Sequence, residues 1–319
     1  MDLDMKISSQ LAHEHPGTRD ESAFSYGIQY HRTMSDFKDA FIYSSSSHSI
    51  ALKKTSLDIE LHLKKIKQRT LIVFFGGAKI REQRGKPGPF FMGRKIAKSI
   101  EANSLFISDP SFAYKKNVRL GWYLGTKYDL GANYIVDLIN FIKNITEAER
   151  IIFVGGSGGG FASLLYNTYF PESLSFVWNP QIILKNYIPG VVNEYLSECF
   201  DCSIDSFPPE ITSDLAQFYN TIKNKNKIIY WQNISDHHVE QHLSPFFKKN
   251  GLDFEKKLFS DWINNWLYLH LTDSSERHEP PPKLAIARIL QGLVNLESFS
   301  DFREIKRMVN EIDGQDEAT

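Results

Sequence analysis

The chain has little of what marks several protein classes. Two cysteines in 319 residues, Cys199 and Cys202, cannot build a disulfide framework. Zinc at that pair would need two more ligands in comparable spacing, and none stands out. Reduced, non-catalytic thiols are the expectation. The net charge of −1 lacks the basic excess by which nucleic-acid binders hold phosphates. No stretch approaches the ~18 uninterrupted apolar residues of a membrane span. The amino terminus, Met-Asp-Leu-Asp-Met-Lys, has neither the basic nor the apolar region of a secretory signal, so a cytoplasmic protein is expected. No internal repeat, G-x-G-x-x-G or G-x-x-x-x-G-K-[ST] occurs, which argues against a phosphate-cradling loop. What remains, 42% hydrophobic and 24% charged residues, is an ordinary globular composition with enough chain for one large domain.

Against that background residues 150–161 are unusual. The run Ile151-Ile152-Phe153-Val154 stops at Gly155, and Ser157 stands among five glycines before a helical pattern begins at Phe161. Gly155-Gly156-Ser157-Gly158-Gly159 fits G-x-S-x-G between a strand and a helix, the setting in which the pattern means a nucleophilic serine. The reason is steric. So sharp a turn strains the serine backbone and leaves no room for neighbouring Cβ atoms. Gly158, in the first helical turn, can aim its N–H at a developing oxyanion.

The rest of the chain reads as alternating strands and helices. Residues 1–40 are polar and are expected to form an irregular arm. Strands are expected at Phe41–Tyr43, Ile50–Lys53, Leu57–Leu63, Thr70–Phe75, Leu105–Ile107, Leu174–Trp178, Lys227–Gln232 and Leu267–Leu271. The alternation in Leu57–Leu63 suits antiparallel opening strands. Helices are expected at 131–146, 161–169, 283–296 and 301–312, with a cap or insertion at 181–225 and a frayed tail at 314–319. Such alternation implies an α/β fold: a mostly parallel central sheet with helices on both faces, its strand carboxyl ends along one ligand-binding edge.

A serine nucleophile needs a base, and the base needs an orienting carboxylate. His237, His238, His242, His270 and His278 follow Ser157. His278, in a loop after the last strand, is favoured as base over His237 and His238, which are expected to open a helix, and over His270, which sits in an apolar strand. Asp236, just after the strand Lys227–Gln232, is favoured as acid over Asp273, which lies close before His278. The second oxyanion donor is expected from Gly77 or Ala78, after the strand Thr70–Phe75. The basic stretch containing Lys79, Arg81, Arg84, Lys86, Arg94 and Lys95 is either a solvated loop or a site for the phosphates of an acyl carrier or for an acidic sugar chain. Trp122, Trp178 and Trp231 either pack in the core or stack on sugars.

The spaced set of Gly-Gly-Ser-Gly-Gly, Asp236 after its strand and His278 in a late loop resembles the α/β-hydrolase superfamily over about residues 50–300. Trp122-Tyr123-Leu124-Gly125, Trp178-Asn179-Pro180-Gln181 and Trp231-Gln232-Asn233-Ile234-Ser235-Asp236-His237-His238 resemble α/β-hydrolase-like proteins of bacterial surface-polysaccharide loci, which include capsule O-acetyltransferases that use acetyl-CoA. The resemblance implies an α/β-hydrolase fold. It also implies a Ser157–His278–Asp236 acyl transfer with acetyl-CoA as donor, no metal, and a carbohydrate or other hydroxyl as acceptor. Two departures stand out: Arg277 where a glycine usually precedes the histidine, and no His in the oxyanion segment. The competing readings are an esterase or deacetylase of the same machinery, a metal-dependent hydrolase built on Asp236, His237, His238 and His242, and a non-catalytic glycan-binding protein.

Overall fold

A computed structural model of the chain describes residues 15–64, 68–274 and 278–316. Its strands are β1 (Ile28–His31), β2 (Ser46–Ala51), β3 (Ser56–His62), β4 (Thr70–Phe75), β5 (Asn103–Ile107), β6 (Gly125–Thr126), β7 (Asp129–Leu130), β8 (Arg150–Gly156), β9 (Ser173–Trp178), β10 (Lys227–Asn233), β11 (Phe259–Trp262) and β12 (Leu267–Thr272). All but the β6–β7 hairpin form one sheet in the order β1-β2-β3-β5-β4-β8-β9-β10-β12-β11. The six strands from β5 to β12 in that order are parallel. β2 and β3 pair antiparallel, as the alternation in Leu57–Leu63 predicts.

The apolar runs are continuous because both faces of the sheet are covered. Leu71, Val73 and Phe75 of β4 enter one core, with Ile151 and Phe153 of β8. Ile72 and Phe74, with Ile152 and Val154, enter the other. The helix Gly131–Ile145 covers the first face, burying Tyr134, Ile135, Leu138, Ile139 and Ile142 at helical spacing. Burial of that size contributes about 1.5–3 kcal/mol per large side chain, far more than helix propensity. The helix Lys283–Asn295 covers the second face through Ile286, Ile289, Leu290 and Leu293.

Parallel strands bring their carboxyl ends to one edge, and register sets which loops meet there. Phe75 pairs with Gly155, Gly156 with Trp178, Trp178 with Trp231, and Asn233 with Thr272. The segments carrying Gly77, Ser157, Asn179, Asp236 and His278 therefore leave neighbouring strand ends in that order.

Four expectations need correction. Residues 15–40 are not an irregular arm throughout, since β1 pairs parallel with β2 and the helix Met34–Asp39 is capped by Thr33, while residues 1–14 lie outside the described set. Phe41–Tyr43 is a loop; the strand begins later, at Ser46, because buried Ser and His side chains there hydrogen-bond one another. β11 is an additional antiparallel edge strand on β12. The last helix runs through Phe302–Asp316, into the expected tail, and residues 317–319 lie outside the described set. The segment 181–225 carries two helices, Pro189–Phe200 and Leu215–Thr221.

Candidate active site

β8 ends at Gly156, and the helix Ser157–Asn167 begins at the next residue. Ser157 has φ 52°, in the left-handed region that an L-residue occupies only at a cost. A Cβ on Gly155 would collide with the Gly159 carbonyl, and one on Gly156 with the Trp178 indole. The glycines thus permit a close approach of β8, β9 and the helix that any side chain would prevent. Trp122 (φ 52°), Tyr123 (φ 59°) and Asn179 (φ 40°), on the segments that hold Gln181 and the His278 loop, share the left-handed region, as do Glu147, Glu172 and Asp201 elsewhere in the fold.

Two bonds tie Ser157 to Gln181. The Gln181 N–H donates to the Ser157 carbonyl at 3.0 Å, and Gln181 Nε2 donates to the Ser157 hydroxyl at 3.0 Å. The other end of the amide, Gln181 Oε1, accepts from Trp122 Nε1 at 2.5 Å. Trp122 is fully buried, so the structure makes it a support for Gln181 rather than a stacking surface. Trp178 and Trp231 are also buried. Asp109 holds the Trp122 loop from below, accepting from the backbone N–H groups of Gly121 at 3.1 Å and Tyr123 at 3.0 Å. Gln181 closes the Trp178-Asn179-Pro180-Gln181 motif, but its bond to the serine, like the role of Asp109, is known only by what it touches.

Asp236 and His278 meet across 42 residues of chain, with His278 Nδ1 donating to Asp236 Oδ2 at 2.6 Å. The carboxylate is 1% exposed. It also accepts from the His238 N–H at 2.9 Å and lies 3.0 Å from His237 Nδ1. Burial alone would raise the Asp236 pKa, but the bonds from His278 and His238 prevail and hold it below the usual carboxylate value. The His278 side chain is 41% exposed, at the rim. Its loop is tethered on both sides: Asn233 Nδ2 donates to Ser274 Oγ at 2.7 Å, and Asn179 Nδ2 to the Glu279 carbonyl at 3.0 Å. Asp273, the other candidate acid, accepts from Ser235 Oγ instead. Arg277 lies outside the described residues. His270 is buried in the sheet, hydrogen-bonded to Ser260 and packed on Trp231.

Gly77 follows β4 beside the serine; a Cβ there would sit 3.8 Å from the Ser157 Cβ. Ala78 packs against the core. The Gly76 N–H is already taken, donating to the Tyr123 hydroxyl at 2.6 Å. Gly158 is the second residue of its helix, where backbone N–H groups have no intrahelical acceptor.

The basic stretch divides into two uses. Lys79 is 4% exposed, and its ammonium donates to the carbonyls of Lys86 at 3.0 Å and Lys116 at 2.8 Å. Burial pushes its pKa down to about 8. Arg94 pairs with the buried Glu60. Arg81, Arg84, Lys86 and Lys95 are exposed. Lys79 therefore fastens the loop together and is not free for a ligand phosphate.

A metal could draw on Asp236, His238 and His278, whose ligand atoms lie within 4.8 Å of one another. His237 and His242, expected as partners of Asp236, are not in that group. Both Asp236 oxygens already accept hydrogen bonds, and His278 Nδ1 is bound to one of them.

The sequence matches no family model and no curated protein. Among solved structures, the capsule O-acetyltransferase of Neisseria meningitidis serogroup A is similar, with 17% identity and a TM-score of 0.52 over 78% of this chain and 94% of that one. A histidine-to-alanine variant of that enzyme in complex with CoA gives 15% identity and a TM-score of 0.50 over 77% and 94%. No helix among the described residues is long and apolar enough to cross a membrane. Sheet order, parallel core and serine turn together give this chain the α/β-hydrolase fold.

Proposed function

We propose that the chain is a serine-dependent acyl-transfer enzyme that works through an acyl-enzyme, with Ser157 as nucleophile, His278 as base and Asp236 as orienting acid. The observation that carries this reading is the hydrogen-bonded Asp236–His278 pair on the sheet edge that also bears Ser157 on its strained turn. Asp236 keeps the proton on His278 Nδ1, which leaves the Nε2 lone pair to accept a proton. The Ser157 hydroxyl gives that proton to His278 as its oxygen attacks the acyl carbonyl. Gly158 with Gly77 or Ala78 would donate N–H groups to the resulting oxyanion. His278 returns the proton to the leaving thiolate or alkoxide, and the acyl group stays on Ser157. An acceptor hydroxyl then loses its proton to His278, takes the acyl group, and restores the serine.

The acyl group is proposed to be acetyl, carried by CoA, and the acceptor a hydroxyl of a bacterial surface polysaccharide. Support comes from the structural likeness to a capsule O-acetyltransferase, a variant of which was solved with CoA. Arg81, Arg84 and Lys86 are exposed in the segment that follows β4, and they are proposed to meet the phosphates of the donor. Incubation with acetyl-CoA, with and without candidate glycans, is expected to release free thiol in a Ser157-dependent, glycan-stimulated manner. Thiol release that persists in Ser157→Ala would contradict the mechanism. Release unaffected by any glycan would contradict the acceptor.

A further inference from the structure

The oxyanion donors proposed above lie on different segments, Gly158 on the serine helix and Gly77 or Ala78 after β4. One further segment, residues 119–123, reaches both. A Cβ on Gly158 would meet the Leu120 side chain at 2.5 Å. The Arg119 carbonyl accepts from the Lys79 N–H at 2.9 Å, and the Tyr123 hydroxyl from the Gly76 N–H at 2.6 Å. Trp122 reaches the Ser157 hydroxyl through Gln181. This segment thus meets the serine, the start of its helix and both ends of the turn after β4.

Its backbone is held in place at some cost. Trp122 and Tyr123 both have left-handed φ, which L-residues keep only when their surroundings enforce it. Asp109, 1% exposed, supplies that hold by taking the N–H groups of Gly121 and Tyr123. The Tyr166 hydroxyl adds a bond to the Tyr123 carbonyl at 2.8 Å. The Tyr123 side chain is 1% exposed, and its ring packs edge-on against Phe75, the residue before Gly76, with centroids 4.7 Å apart. Its hydroxyl donates to the Ile107 carbonyl at 3.1 Å, which can only accept, so the bond from Gly76 ends on a hydroxyl lone pair.

The turn between Gly76 and Lys79 is therefore tied at both ends. The N–H groups of Gly76 and Lys79 are spent on Tyr123 and Arg119, whereas those of Gly77 and Ala78 have no acceptor among the described residues. We infer that Tyr123 is a positioning residue: by taking the Gly76 N–H it fixes the turn with the Gly77 and Ala78 N–H groups left for the oxyanion. This role rests on the acyl-transfer reading above. Fully buried, Tyr123 acts through the turn and not on the substrate.

Tyr123→Phe tests the role, because it removes the hydroxyl and keeps the ring on Phe75. With p-nitrophenyl acetate, kcat should fall about 10-fold while KM changes less than about 3-fold, since the donors serve the oxyanion and not the bound ester. Two ketones separate positioning from general damage. In 1,1,1-trifluoro-4-phenylbutan-2-one the carbonyl carbon bonds the Ser157 oxygen as the serine proton passes to His278, leaving an oxyanion; 4-phenylbutan-2-one stays a ketone. The variant should lose affinity for the first about 10-fold and keep it for the second. Equal losses for both ketones, or an unchanged kcat, would overturn the role. Amide exchange in the unaltered protein gives a test that needs no variant. Gly76 and Lys79 should be protected with or without the trifluoromethyl ketone, and Gly77 or Ala78 only with it. Gly77 and Ala78 both unprotected in the adduct would overturn the proposal. A fluorophosphonate that fails to label Ser157 in the unaltered protein would sink the acyl-transfer reading and this role with it. One that labels Tyr123→Phe as fast as the unaltered protein would sink the positioning role alone.

Discussion

Gln181 Nε2 donates to the hydroxyl oxygen of Ser157, so the proposed nucleophile is held as an acceptor and its own proton stays available to a base. The same amide satisfies the buried Trp122 indole. Gln181→Leu keeps the volume and removes both side-chain bonds while leaving the backbone bond to the Ser157 carbonyl. It should cost about 1–3 kcal/mol of stability, through the orphaned indole N–H. It should also lower kcat/KM about 10-fold, because an unheld serine spends less time correctly placed. Thermal unfolding and ester hydrolysis measure the two effects separately.

Asp236→Asn is expected to reduce turnover about 10³–10⁴-fold, since an amide no longer holds the proton on His278 Nδ1. Asp273→Asn should change it less than about 3-fold, because that carboxylate contacts Ser235 rather than the histidine. Equal effects from the two variants would contradict the assignment of the acid.

The close approach at the serine turn makes a stability prediction. Gly156→Ala drives a methyl group into the Trp178 indole and should cost about 1–3 kcal/mol or more in chemical denaturation. Gly190→Ala meets nothing within 4 Å and lies in the helix Pro189–Phe200. It should be neutral, or stabilising by up to about 1 kcal/mol.

Much of this was legible because the signals are local. The glycines around Ser157, the apolar runs of β4 and β8, and the loops holding Asp236 and His278 each declare themselves within a few residues. β1 and β11 do not: β1 buries only His31, and every residue of β11 is half-exposed, so neither shows an apolar run. β2 was obscured for the opposite reason. Ser46, Ser47, His48 and Ser49 are all buried, and polar pairing there replaces hydrophobicity. Lys79 looked like a free cation because the carbonyls that bind it belong to Lys86 and Lys116, a relation that only folding creates.

That buried polar patch makes a pH prediction. His31 and His48 share a 3.0 Å hydrogen bond, and burial lowers them to about 4 and about 3. In the unfolded chain both titrate near 6.5, so the unfolded state takes up protons first as pH falls. Their full contribution to stability is present above about pH 6.5 and declines steadily down to about pH 4 and below. The unfolding midpoint should therefore drop between pH 7.5 and 5, and His48→Gln should flatten that slope. A slope unchanged by the substitution would show that other groups set the acid sensitivity.

A fluorophosphonate probe followed by peptide mass mapping reads whether the Ser157 hydroxyl can be activated for attack. One covalent adduct is expected, on Ser157, absent in Ser157→Ala together with at least about a 10³-fold loss of esterase turnover, and formed more slowly in Asp236→Asn. An unmodified Ser157, or turnover that survives its replacement by alanine, would contradict that activation.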